Sequence, residues 1–81
     1  MKYSIDKQEK YTVFKLHEEK LDTVLAPSLK SELVTLNAEG VENLILDLSE
    51  VKYTDSSGLS AILVGNRVYG ESNGFFVIAR I

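Results

Sequence analysis

The segment "VENLILDLS" carries Leu44, Ile45 and Leu46 in succession. A short apolar run between polar flanks is the pattern of a strand covered on both faces, and such strands sit centrally in parallel sheets. Parallel neighbours need crossovers, and a segment of helical character lies on each side of this run. Upstream, "TVLAPSLKSELVTLNAEG" repeats leucine at 25, 29, 33 and 36, one stripe of an amphipathic helix. Pro27 fits its first turn, where a missing N–H does no harm. Gly40 stands where the chain leaves the helix in a left-handed conformation. Lys30, Ser31, Glu32 and Thr35 supply a mostly polar outer face.

Downstream, "SSGLSAILVGNRVYG" is a second helix with apolar residues spread around its axis. Leu59, Ile62 and Leu63 lie on one side and Ala61, Val64 and Val68 on another. A helix this apolar is either deeply buried or offers part of its face to a partner. Gly65 in its interior costs about 1 kcal/mol relative to alanine, so it marks a close backbone approach.

Three more strands complete the pattern. "MKYSI" alternates, with Met1, Tyr3 and Ile5 on one side, and "YTVFKLH" reads as the second arm of a hairpin. After the turn "ESNG", "FFVIARI" reads as a buried last strand that expects cover on both faces. The order is β-β-α-β-α-β: two strand–helix–strand units with parallel neighbours, plus an antiparallel hairpin, in one mixed-sheet α/β domain over residues 1–81.

Composition narrows the function. The 81 residues hold no cysteine and one histidine, His17, which excludes disulfides, thiolate metal sites and a zinc site built on histidines. The formal charge of −3, with both signs mixed along the chain, argues against direct nucleic-acid binding. There is no apolar leader and no run of membrane-spanning length, so a cytoplasmic domain that does not enter membranes is expected. No cofactor is expected, because neither a P-loop nor a dinucleotide fingerprint is present.

The most informative stretch is "DSSGL" at residues 55–59, between strand loop and helix. Asp55, Ser56 or Ser57 can cap the helix by accepting its free N–H groups. A serine there can also be held out for chemistry. A nucleophilic serine needs a base, and nothing in the sequence ties His17 to Ser56. Glycines on both sides of the serine, as in a nucleophile elbow, are absent. The acidic residues Glu18, Glu19 and Asp22 read as a solvated loop. No catalytic constellation emerges, and the chain reads as non-enzymatic.

Taken together, "LILDLS", "DSSGLSAILV", "FFVIA" and, upstream, "EEKLDTVLAPSLKSEL" resemble the STAS domain, and in particular the bacterial anti-sigma factor antagonists. The resemblance covers the whole chain, and "DSSGL" is its most specific part. It implies a STAS-like mixed sheet and a partner switch. In that family an unphosphorylated antagonist binds an anti-sigma factor that is also a serine kinase, and a sigma factor is released. The kinase phosphorylates the first serine of the pair, and a metal-dependent serine phosphatase resets the switch. That serine falls on Ser56, with Ser57 as the fallback, and its phosphate would face free N–H groups of the helix. Asp22, after Leu21, falls at the kinase-binding surface, where it is expected to serve recognition more than stability. Asp55, Ser56, Ser57, Gly58 and Leu59 complete the partner-binding set. A STAS subunit of a transporter or lipid-trafficking complex, without phospho-switching, is the alternative. The family's further helix, short strand and final helix have no counterpart before Ile81, so a C-terminally truncated domain is expected, with self-association through uncovered apolar surface.

Overall fold

A computed structural model describes residues 1–80. Its main sheet has the strand order β1-β2-β4-β6, built from β1 (Tyr3–Lys7), β2 (Thr12–Leu16), β4 (Leu44–Asp47) and β6 (Phe76–Ala79). β1 and β2 pair antiparallel, with Tyr3 opposite Leu16 and Ile5 opposite Phe14. β2–β4 and β4–β6 are parallel, with Phe14, Leu46 and Ile78 in one row. The connections are α1 (Ala26–Ala38) and α2 (Ser56–Glu71). Two strands of two residues each, β3 (Lys20–Leu21) and β5 (Tyr53–Thr54), form a separate parallel pair. The expected mixed sheet and element order are therefore present, with β3 and β5 added.

One face of the sheet holds the core. Phe14, Leu16, Leu44 and Leu46 join Leu29, Leu33 and Leu36 of α1 and Ala61, Ile62 and Tyr69 of α2 in a single buried cluster. The leucine stripe thus faces inward as its spacing requires, with Leu25 just before the helix and packed against the same cluster. Pro27 occupies the first turn of α1, and Gly40 ends it with φ +110°. Gly65 lets the helices and sheet close up: a β-carbon there would lie 2.8 Å from the Phe76 ring and 3.0 Å from Leu33. The Tyr69 hydroxyl, fully buried, donates to the Leu33 carbonyl at 2.9 Å and pins α2 to α1.

Among the described residues, the cover on both faces expected for β4 and β6 is not found. Ile45 is only half-buried, beside Val13 on β2 and Val77 on β6 in the same row. Its shelter comes from flanking strands and not from a second layer. β6 is an outer strand, and Val77 and Ile78 are 48% and 47% exposed. An apolar run reports strand-forming residues but not the strand's position in the sheet. Ile81 lies outside the described residues.

Candidate functional site

The short β3–β5 pair brings two distant loops together. Leu21 pairs with Thr54, and the N–H groups of Lys52 and Tyr53 both donate to the Glu19 carbonyl, at 2.7 and 3.1 Å. Asp55 follows directly, and its N–H donates to the Leu21 carbonyl at 3.3 Å. The β3–α1 connection, Asp22–Leu25, therefore lies against the start of α2.

Of the three capping candidates, Asp55 is the N-cap of α2. Its backbone is extended (φ −106°, ψ −172°), and its Oδ1 accepts from the Gly58 N–H at 3.0 Å. Its Oδ2 accepts from the N–H and the hydroxyl of Thr23, each at 3.2 Å. The Gly58 bond, then the Thr23 bonds, hold the Asp55 carboxyl below its ordinary value against the opposing effect of desolvation. Ser57 is half-buried, with its Oγ 3.2 Å from Thr23 Oγ1. Ser56, the first residue of the helix, is exposed, and no hydrogen bond among the described residues engages its hydroxyl. The helix-start N–H groups expected to face a phosphate are partly taken, because Asp55 already holds that of Gly58.

Gly58 is buried where α2 crosses β3 and β5. A β-carbon on it would collide with the Leu21 carbonyl and the Thr54 hydroxyl. Its role is close approach, which seats the serine pair against β3. Leu59, one residue on, is 53% exposed, and Leu63 a turn later is 66% exposed. Val24, beside Thr23, is 81% exposed. The second helix thus follows the partial-exposure pattern, with open apolar residues next to the serines.

Asp22 is half-buried rather than solvated. Its Oδ1 accepts from the N–H groups of Val24 and Leu25, at 3.1 and 3.3 Å, and its carbonyl accepts from Ala26 at 2.8 Å. The expectation that it serves recognition at little structural cost omits this capping of the α1 entry. Thr23, which joins Asp55 to Ser57, is the site residue that sequence reasoning missed. Only its position beside the leucine–aspartate pair could have drawn attention to it.

Both ring nitrogens of His17 are engaged away from Ser56. Its Nδ1 lies 2.8 Å from Glu50 Oε2 and its Nε2 lies 3.0 Å from Ser4 Oγ. This bond to His17 lowers the Glu50 carboxyl from its ordinary value. A serine, an imidazole and a carboxylate are thereby aligned, a grouping not apparent from the sequence. They sit on the open face of the sheet, where His17 and Glu50 side chains are 36% and 47% exposed. Hydrolytic triads act in a shaped site that excludes water, so the alignment here is read as a polar tie between β1, β2 and the β4–β5 loop. Among the described residues, no group of three or more His, Cys, Asp or Glu is placed to hold a metal ion. No helix there is long and apolar enough to cross a membrane.

The STAS domain family profile matches residues 2–81, and the chain belongs to that family. No curated protein sequence matches it. Among solved structures, the unphosphorylated anti-sigma factor antagonist SpoIIAA superposes with a TM-score of 0.79 at 19% identity, over 95% of this chain and 71% of SpoIIAA. An anti-sigma factor antagonist from Mycobacterium paratuberculosis gives 0.79 at 24% identity, over 95% of this chain and 66% of that one. The murine anion transporter Slc26a9 gives 0.76 at 15% identity, over 94% of this chain but 13% of the transporter.

Proposed function

We propose that this chain is an anti-sigma factor antagonist: a non-enzymatic partner switch that binds an anti-sigma factor serine kinase while Ser56 carries no phosphate. Binding releases a sigma factor, phosphorylation of Ser56 by the kinase ends binding, and a metal-dependent serine phosphatase restores it. The observation that carries this reading is the contrast within the serine pair. Ser56 is exposed and unengaged at the start of α2, whereas Ser57 and Asp55 are tied to Thr23. Membership of the STAS family and the fold shared with two antagonists support it.

The physics suits a surface switch. A phosphate brings about −1.5 to −2 charges at neutral pH. With Asp55 already capping the helix, that charge adds to an existing carboxylate and projects outward. The positive helix end offsets part of the repulsion, so the fold survives. A partner surface fitted to a neutral hydroxyl beside Leu59 and Leu63 meets charge and bulk instead, and affinity falls.

The test is to incubate the 81-residue chain with ATP and cytosolic extract of its native host, then map phosphate by mass spectrometry. Phosphate on Ser56, absent from Ser56→Ala, is expected. A chain that acquires none would instead fit the second reading, a STAS module of a larger assembly.

A further inference from the structure

Thr23 makes three contacts across to the start of α2: N–H to Asp55 Oδ2, hydroxyl to Asp55 Oδ2, and Oγ1 to Ser57 Oγ, each at 3.2 Å. Proton counting fixes their direction. A threonine hydroxyl has one proton, and an ionised carboxylate only accepts. The Thr23 hydroxyl therefore donates to Asp55, and Ser57 must donate to Thr23. The result is a directed chain, Ser57 to Thr23 to Asp55, whose far end also holds the Gly58 N–H at 3.0 Å. Linked bonds of this kind polarise one another. Ser56, exposed, takes no part in it.

We propose that Thr23 selects between the paired serines: it holds the Ser57 hydroxyl proton, leaves Ser56 as the acceptor, and locks the β3–α1 loop to the α2 start as one recognition surface. The consequence for phosphorylation rests on the phospho-switch reading; the positioning role does not. In the transfer, serine Oγ forms a bond to the γ-phosphorus of ATP, and the bond from that phosphorus to the β,γ-bridging oxygen breaks. ADP leaves, and the hydroxyl proton passes to a base of the kinase. Ser57 must first give up its bond to Thr23, and it must do so from a half-buried position. Ser56 has no such requirement.

Amide hydrogen exchange on the ¹⁵N-labelled chain tests the positioning. Thr23→Val should speed exchange at Gly58 about three- to tenfold, the range expected for one lost hydrogen bond. Ser57→Ala should speed exchange at Thr23, on the other loop. The double variant should exceed neither single effect by much, because both break the same chain. Thr23→Ser should restore the wild-type rates, and exchange at Leu46 in the sheet should not move in any variant. Additive effects, or a Gly58 amide indifferent to Thr23→Val, would overturn the positioning role. If Thr23→Val disturbs Leu46 as well, Ser57→Ala alone decides by its effect at Thr23. The kinase activity found in host extract then reads selection: phosphate on Ser56 only in wild type and Thr23→Ser, and on both serines in Thr23→Val. Phosphate confined to Ser56 in Thr23→Val would overturn the selection. Coupled exchange without any phosphorylation would keep the bridge and remove the phospho-switch, whereas phosphate on Ser56 with additive exchange effects would do the reverse.

Discussion

Gly58 on α2 and the carbonyl of Leu21 on β3 approach so closely that no β-carbon fits between them. The site depends on this contact, because the β3–α1 loop reaches Asp55 only while α2 lies this close. Gly58→Ala drives a methyl group against the Leu21 carbonyl and the Thr54 hydroxyl, and over-packing of this kind costs about 1–3 kcal/mol. Chemical denaturation should show a loss in the upper part of that range. A midpoint equal to wild type would mean that the two elements separate freely.

Asp22 caps the entry to α1 through the N–H groups of Val24 and Leu25. Asp22→Ala should lose about 1 kcal/mol of stability, the usual cost of a missing cap. Asp22→Asn, which keeps an acceptor oxygen, should lose less. If the chain binds its partner through Asp22 as well, binding losses must be measured where both variants are fully folded.

Asp55 sets an acid limit. Its folded pKa is depressed, chiefly by the Gly58 N–H, so its contribution is fully present above its unfolded value near 3.8 and is lost as pH falls through the lower folded value. Acid titration followed by circular dichroism should show stability declining below about pH 4. Asp55→Asn should flatten that part of the profile. An unchanged profile would remove Asp55 from the linkage.

Which of these features can be read from residues alone follows from their range. The α1 stripe of Leu29, Leu33 and Leu36 and the close approach at Gly65 are local signals, and both are found in the structure. β3 and β5 have two residues each, too short for any periodicity, and they exist because Leu21 meets Thr54 in space. The exposure of Val77 and Ile78 depends on β6 being outermost, a property of strand order and not of composition. Ser56 and Asp55 were readable from "DSSGL". Thr23 was not, because its partners lie 32 and 34 residues away in the chain. The same holds for Ser4 and Glu50, joined through His17 by the β1–β2 register and the β4–β5 loop.

Tyr69 sets an alkaline limit. Burial raises its pKa to about 12 from an ordinary 10.0. A group whose folded pKa is raised contributes stability that is complete below the unfolded value and lost as pH rises through the folded one. Stability should therefore fall between about pH 10 and 12 in wild type, with a smaller fall in Tyr69→Phe. At neutral pH, Tyr69→Phe should cost about 1 kcal/mol through loss of its bond to the Leu33 carbonyl.

The most direct measurement of the proposed switch is calorimetric titration of the kinase proposed as its partner, purified, with the chain in two forms, unmodified and phosphorylated on Ser56. Thermal melts of both forms should agree within about 4–8 °C, the shift that a change near 1 kcal/mol gives a domain of this size. The phosphorylated form should bind at least about tenfold more weakly, or 1.4 kcal/mol. Equal affinities with matched melts would contradict the switch at Ser56.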